Sequence, residues 1–157
     1  MFVQTAKKKQ EKTVFGVRYK FIKVRPQKLT GIEISGFGNH AFRVTDKEKT
    51  IADCFDLPEY GGEFPCIIRA FVRNKWNQQK LIAYCSALNN NSAIKRMGYI
   101  AEIYGLPMNR FIAFAKTRVN KTVSLFNPFG DNRGNIVTNW GLKLNIQKDD
   151  ILAMINY

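Results

Sequence analysis

Asp46, Glu48 and Asp53 place three carboxylates in one short segment, the grouping in this chain whose residue types and spacing most invite chemistry. Paired carboxylates hold Mg²⁺ in hydrolytic sites and let it polarise a phosphoryl oxygen. Metal-dependent nucleases of that kind often add a lysine two residues after the second acid. No acid in this chain has a lysine two positions on. Thr45-Asp46-Lys47-Glu48 reads instead as a capping box, with Thr45 at the N-cap and Glu48 reaching back to its amide. Acids at a helix start are also favoured by the helix dipole. Gly36-Phe37-Gly38 and Gly61-Gly62 lack the spacing of phosphate-cradling loops and read as turns. His40 is the single histidine, so it is the only base available to a serine or cysteine nucleophile, and it falls in a turn. Cys54, Cys66 and Cys85 are far apart, with neither the paired spacing of a zinc site nor the even count of a disulfide framework. They read as buried, reduced thiols. The expectation is a non-enzyme with no catalytic residues, no metal site and no cofactor.

Charge points elsewhere. The 157 residues carry 25 Lys and Arg against 12 Asp and Glu, a formal net charge of +13. An excess of that size implies an acidic partner, most often nucleic acid, because cations gain affinity by releasing counterions from phosphates. In the first thirty residues Lys7, Lys8, Lys9, Lys12, Arg18, Lys20, Lys23, Arg25 and Lys28 face only Glu11. Two groups are candidates for phosphate contact: Arg18, Lys20, Lys23 and Arg25 on a strand, and Lys95, Arg96, Lys116, Arg118 and Lys121 around a helix start and a late strand. Such residues position phosphates without reading sequence. The same cations also read as an ordinary solvated surface. Phe15, Tyr19 and Phe21 alternate with them; exposed, they would stack on bases, but at period two they read as core.

These residues must be positioned by a modest set of elements. Residues 1–13 read as a flexible basic arm, and 14–157 as one domain. Such a chain is long enough to bury roughly 70% of its unfolded surface. A strand from Val14 ends at Pro26, Leu29–Ile34 gives a second, and Ala41–Val44 a third. Four helices follow: one over Ile51, Ala52, Cys54 and Phe55, one over Phe64–Phe71, one starting near Asn77, and one over Ile94–Tyr104 closed by Gly105 and Pro107. Lys121–Phe126 and Trp140–Ile146 return to strand. Asp149-Asp150 opens a short closing helix with Ile151, Leu152 and Ile155 inward. Strands, then helices, then strands indicate an α+β fold, expected as one small mixed or antiparallel sheet of N- and C-terminal strands against about four central helices. No apolar run reaches the roughly 18 residues of a membrane span and no signal peptide is visible, so a cytoplasmic protein without a membrane partner is expected.

Four segments, in order, resemble the C-terminal region of AbiEi-type antitoxins of the abortive-infection systems. They are Val44–Cys54, the Gly61-Gly62 turn before a helix, Lys95-Arg96-Met97-Gly98-Tyr99-Ile100-Ala101-Glu102, and Leu125-Phe126-Asn127-Pro128 with its glycine-containing loop and Trp140–Asn145. The resemblance implies a transcriptional regulator that represses its own operon and counters a nucleotidyltransferase-like toxin without a stable complex, a type IV toxin–antitoxin system. It also implies a DNA partner, contacted at an operator or along the phosphate backbone. Family members carry an N-terminal winged helix-turn-helix; before Val14 this sequence has only the lysine-rich arm, a departure that bears on sequence-specific repression. Asp46, Thr50, Asp53, Arg96 and Trp140 read as fold-defining. Two other readings stand beside this one: a protein-interaction domain that uses charge for solubility, and a metal-dependent nuclease.

Overall fold

Apolar residues spaced three and four apart dictate helices that must bury one side. The computed structural model describes residues 1–156, and its interior is built from such helices. They are α1 (Lys47–Asp56), the single turn α2 (Pro58–Gly61), α3 (Phe64–Arg73), α4 (Gln78–Leu88), α5 (Asn91–Ile103), α6 (Asn109–Thr117) and α7 (Lys148–Ala153). Helix α5 is the axis of the body, with every residue from Ala93 to Ala101 buried. Phe126, Trp140, Leu142 and Ile151 close the core from the C-terminal segment. Helix α6 was not expected from the sequence, although Met108, Phe111, Ile112 and Ala115 fall at helical spacing after Pro107. Among the described residues no helix is long and apolar enough to cross a membrane.

The fold is α+β, but its strands form three separate small sheets and not the single sheet expected. Strand β3 (Val17–Lys23) pairs parallel with β1 (Phe2–Thr5) and antiparallel with β2 (Lys12–Val14). Strands β4 (Ile32–Ser35) and β5 (Phe42–Thr45) make a hairpin. Strand β8 (Leu142–Leu144) pairs parallel with β6 (Ser124–Leu125) and antiparallel with β7 (Asn135–Val137). The N- and C-terminal strands therefore do not pair with each other; the helices α1 to α6 separate them in the chain.

Residues 1–13 are not simply an arm. Phe2–Thr5 adds a strand to β3, with Phe2 opposite Lys20 and Thr5 opposite Lys23. Phe2, Val3 and Thr5 are good strand formers, a local preference that the neighbouring lysines masked. The one-domain reading ends at Tyr157, which lies outside the described residues.

The start of α1 differs from a capping box. Asp46, not Thr45, is the N-cap, and its Oδ1 accepts the Lys49 amide at 2.8 Å. Glu48 turns away and accepts the Asn77 amide at 2.9 Å, tying α1 to the start of α4. At α4's other end Asn89 takes the left-handed conformation (φ 52°), and Asn90 caps α5 by accepting the Ala93 amide. At the C-terminus only Ile151 joins the core; Leu152 and Ile155 are half-buried.

Candidate nucleic-acid interface

The nine basic residues singled out in sequence fall into three environments. Arg18, Lys20, Lys23 and Arg25 are exposed on and just after β3. None of the four pairs with an acid among the described residues. Lys7, Lys8, Lys9 and Lys12 lie exposed in the same sheet or its β1–β2 connection. Lys9 sits over the Phe21 ring at 5.4 Å, and Lys20 over Tyr60 of α2 at 5.6 Å.

A second group lies on or after α6. Lys116 pairs with Glu102 at 2.5 Å and lies over the Trp140 ring, so its charge is largely spent within the fold. Arg118 stacks on Phe114, and Lys121 is exposed. These two are separated from β3 in the chain and share no hydrogen bond or ion pair with it among the described residues.

Lys95 and Arg96 are interior and do not belong to a surface phosphate site in the way expected. Lys95 is 1% exposed and donates to the carbonyls of Thr122 at 2.7 Å and Gly141 at 3.1 Å. Arg96 Nε donates to Leu125 O at 2.9 Å. Burial lowers the pKa of both; for Lys95 the neighbouring Arg96 adds to the effect, and for Arg96 the value falls to about 10, which still leaves it charged at neutral pH. Together they brace α5 against the C-terminal strands. Their helix spacing put them on two adjacent positions of a fully buried helix, which a periodicity of charge does not reveal.

The aromatic alternation on β3 also resolves differently from a core. Phe15 and Gly16 form the two-residue turn between β2 and β3, both with positive φ (47° and 77°). This is the hairpin geometry that matches strand twist. Phe15 is thereby thrown wholly into solvent, at 101% relative exposure. Tyr19 and Phe21 are half-buried and lie outside the hydrophobic core. The Phe15-Gly16 pair was the signal for this turn.

The three carboxylates are each engaged in structure. Asp46 Oδ2 accepts Tyr84 Oη at 2.7 Å and Lys80 Nζ at 3.0 Å. Against desolvation, which raises it, the Lys49 amide, Tyr84 and Lys80 hold the Asp46 carboxyl below its ordinary value. Asp53 pairs with buried Lys49, yet burial wins and raises its pKa. Among the described residues no three His, Cys, Asp or Glu side chains are grouped to hold a metal ion. Of the thiols, Cys85 is buried and its pKa is pushed up to about 12 by desolvation first, then by Asp56 and Asp53. Cys54 is half-buried and Cys66 is exposed, against the expectation that all three are interior. His40 lies exposed in a 3-10 turn between β4 and β5.

Sequence reasoning missed one feature, a cleft of about 710 Å³ where the end of β3, α2 and the α4–α5 junction converge. Lys23, Arg25 and Lys28 line one side and Asn91, Ser92 and Lys95 another. No motif announces it, since its walls come from four separate stretches of chain. Comparison with protein-family models, curated proteins and solved structures finds no match for this chain.

Proposed function

We propose that this chain is a non-catalytic regulatory module of the AbiEi antitoxin kind, which contacts nucleic acid through its N-terminal sheet. One observation carries the nucleic-acid part. The β1–β3–β2 sheet stands outside the hydrophobic core and presents Lys12, Arg18, Lys20 and Lys23 in solvent without acidic partners. A sheet that contributes so little to the core, and carries that much uncompensated charge, is suited to a polyanion. Phe15 at its tip adds an aromatic surface that can stack on an unpaired base. The antitoxin part rests on the ordered motifs alone. It brings with it a functional link to a nucleotidyltransferase-like toxin, without a stable complex, and action in the cytoplasm.

A second reading, a module that touches only protein, is favoured by the β4–β5 hairpin. Ile32, Ile34, Phe37, Phe42 and Val44 are all exposed there, Ile32 and Ile34 on one face of the hairpin and Phe42 and Val44 on the other. Titration into labelled duplex DNA, from the gene's own upstream region and from a scrambled control, separates the readings. Salt-sensitive binding to both supports a basic face that does not read sequence. Absence of binding at low salt leaves only the protein-contact reading.

A further inference from the structure

The cleft beside β3 is open to solvent and lined mainly by polar and charged residues. Its volume of about 710 Å³ lies in the range of small-molecule sites. Leu57 and Tyr60 give it an apolar wall, and Tyr60 is held by Phe2, whose ring lies 5.1 Å away. Opposite stands the amino end of α5. The first amides of a helix have no intrahelical acceptor. The Asn90 cap takes that of Ala93, leaving those of Asn91 and Ser92.

The charge of the lining points to an anionic ligand. Lys23 and Arg25 line the cleft with no acid paired to either among the described residues. Of the two acids that line it, Asp56 is already bound by Lys28 at 2.6 Å and by Asn90 at 3.0 Å, which leaves Glu59 exposed at the margin. Lys95 uses two of its three N–H donors on Thr122 and Gly141, and it too borders the cleft.

We propose that this cleft seats a single nucleotide, its phosphate held by Lys23, Arg25 and the amino end of α5, its base against Leu57 and Tyr60. The nucleotide is either free or the end of a nucleic-acid strand; the chemistry recognised is the same. The proposal deepens the nucleic-acid reading above but is tested apart from it, because a mononucleotide does not bridge the outer face of the sheet.

The probes are thymidine 5′-monophosphate and thymidine, titrated into the full chain at low salt, followed by calorimetry and by the amide resonances of Asn91 and Ser92. The monophosphate is expected to bind and to shift both resonances, and thymidine to do neither. Lys23→Gln with Arg25→Gln should weaken the monophosphate by about ten-fold or more, as loss of charge-assisted bonds to phosphate requires. Lys12→Gln with Arg18→Gln, in the same sheet outside the cleft, should leave it unchanged. A thymidine hexamer with a 5′-phosphate that outcompetes the monophosphate assigns the site to strand ends; one that competes no better assigns it to free nucleotide. Equal binding of thymidine and its monophosphate overturns the proposal, as does an affinity insensitive to Lys23 and Arg25. A parent chain that binds the monophosphate but no duplex DNA would sink the sheet as an interface and spare the cleft.

Discussion

Gly98→Ala isolates the contact on which the body of the protein turns. A Cβ on Gly98 would lie 2.5 Å from both Cη2 and Cζ3 of Trp140 and 2.6 Å from the Cβ of Ala115. Carbon atoms pack at about 3.5–4.0 Å, so the new methyl must open the α5–α6 contact by about 1 Å on two sides at once. Neither side yields cheaply, since Trp140, Ala115 and Met97 are all at 0% exposure. Trp140 is further pinned by its Nε1 bond to Glu102 at 2.5 Å. Overpacking of this kind costs about 1–3 kcal/mol and occasionally more, and the indole places it at the upper end. Alanine returns about 1 kcal/mol of helix propensity. The net expectation is a loss of about 2 kcal/mol, or roughly 4–8 °C in Tm for a chain of this size. Urea and thermal denaturation followed by far-UV dichroism measure it. Trp140→Phe removes the two clashing ring atoms, so the double variant should lose less than the sum of the two singles. A Gly98→Ala protein more stable than the parent would mean that only propensity operates there, and that the indole does not sit against α5.

Three further outcomes follow from the same packing. Lys95→Met keeps the aliphatic stem but orphans the Thr122 and Gly141 carbonyls; chemical denaturation should show a loss of about 1–3 kcal/mol, and a neutral result would mean that the ammonium is not a brace. Asp46→Ala removes the α1 cap and the acceptor for Tyr84, for an expected loss of about 2 kcal/mol at neutral pH, with the half-exposed Lys80 contributing little. The folded Asp46 carboxyl titrates below its ordinary value, so its stabilisation is full above about pH 4 and is lost as pH falls through the folded value. Asp46→Asn should accordingly flatten the fall in stability below about pH 4, and a parent-like acid limb in that variant would show that another carboxylate governs it.

The helical body was legible because its apolar positions repeat cleanly and its ends carry ordinary signals. Phe64–Phe71 and the Gly105-Pro107 stop fall where spacing places them. Strand partnership was not legible. Periodicity says that Val17–Phe21 is extended, but pairing with Phe2–Thr5 depends on contacts across the chain that no local pattern carries. The cationic residues divide for a related reason. A lysine on a surface strand and a lysine whose ammonium meets two carbonyls inside the fold look alike in sequence, and only the strands around Thr122 and Gly141 tell Lys95 from Lys20. The hairpin turn inverted the reading of Phe15: an alternating pattern counted through Phe15-Gly16 assigns the ring to the core, whereas a left-handed pair at those positions ejects it. The cleft was beyond reach, being assembled from four stretches with no shared motif.

The proposed nucleic-acid face is the N-terminal sheet. The most direct measurement is the salt dependence of duplex DNA affinity for the parent and for Arg18→Gln, Lys20→Gln and Lys23→Gln combined. Each phosphate contact contributes about 0.9 to the slope of log affinity against log salt. The account predicts that the combined variant loses about 2–3 units of slope, while its melting temperature stays at that of the parent, since none of the three side chains lies in the core. A folded variant with an unchanged slope would contradict it and move the interface away from β3.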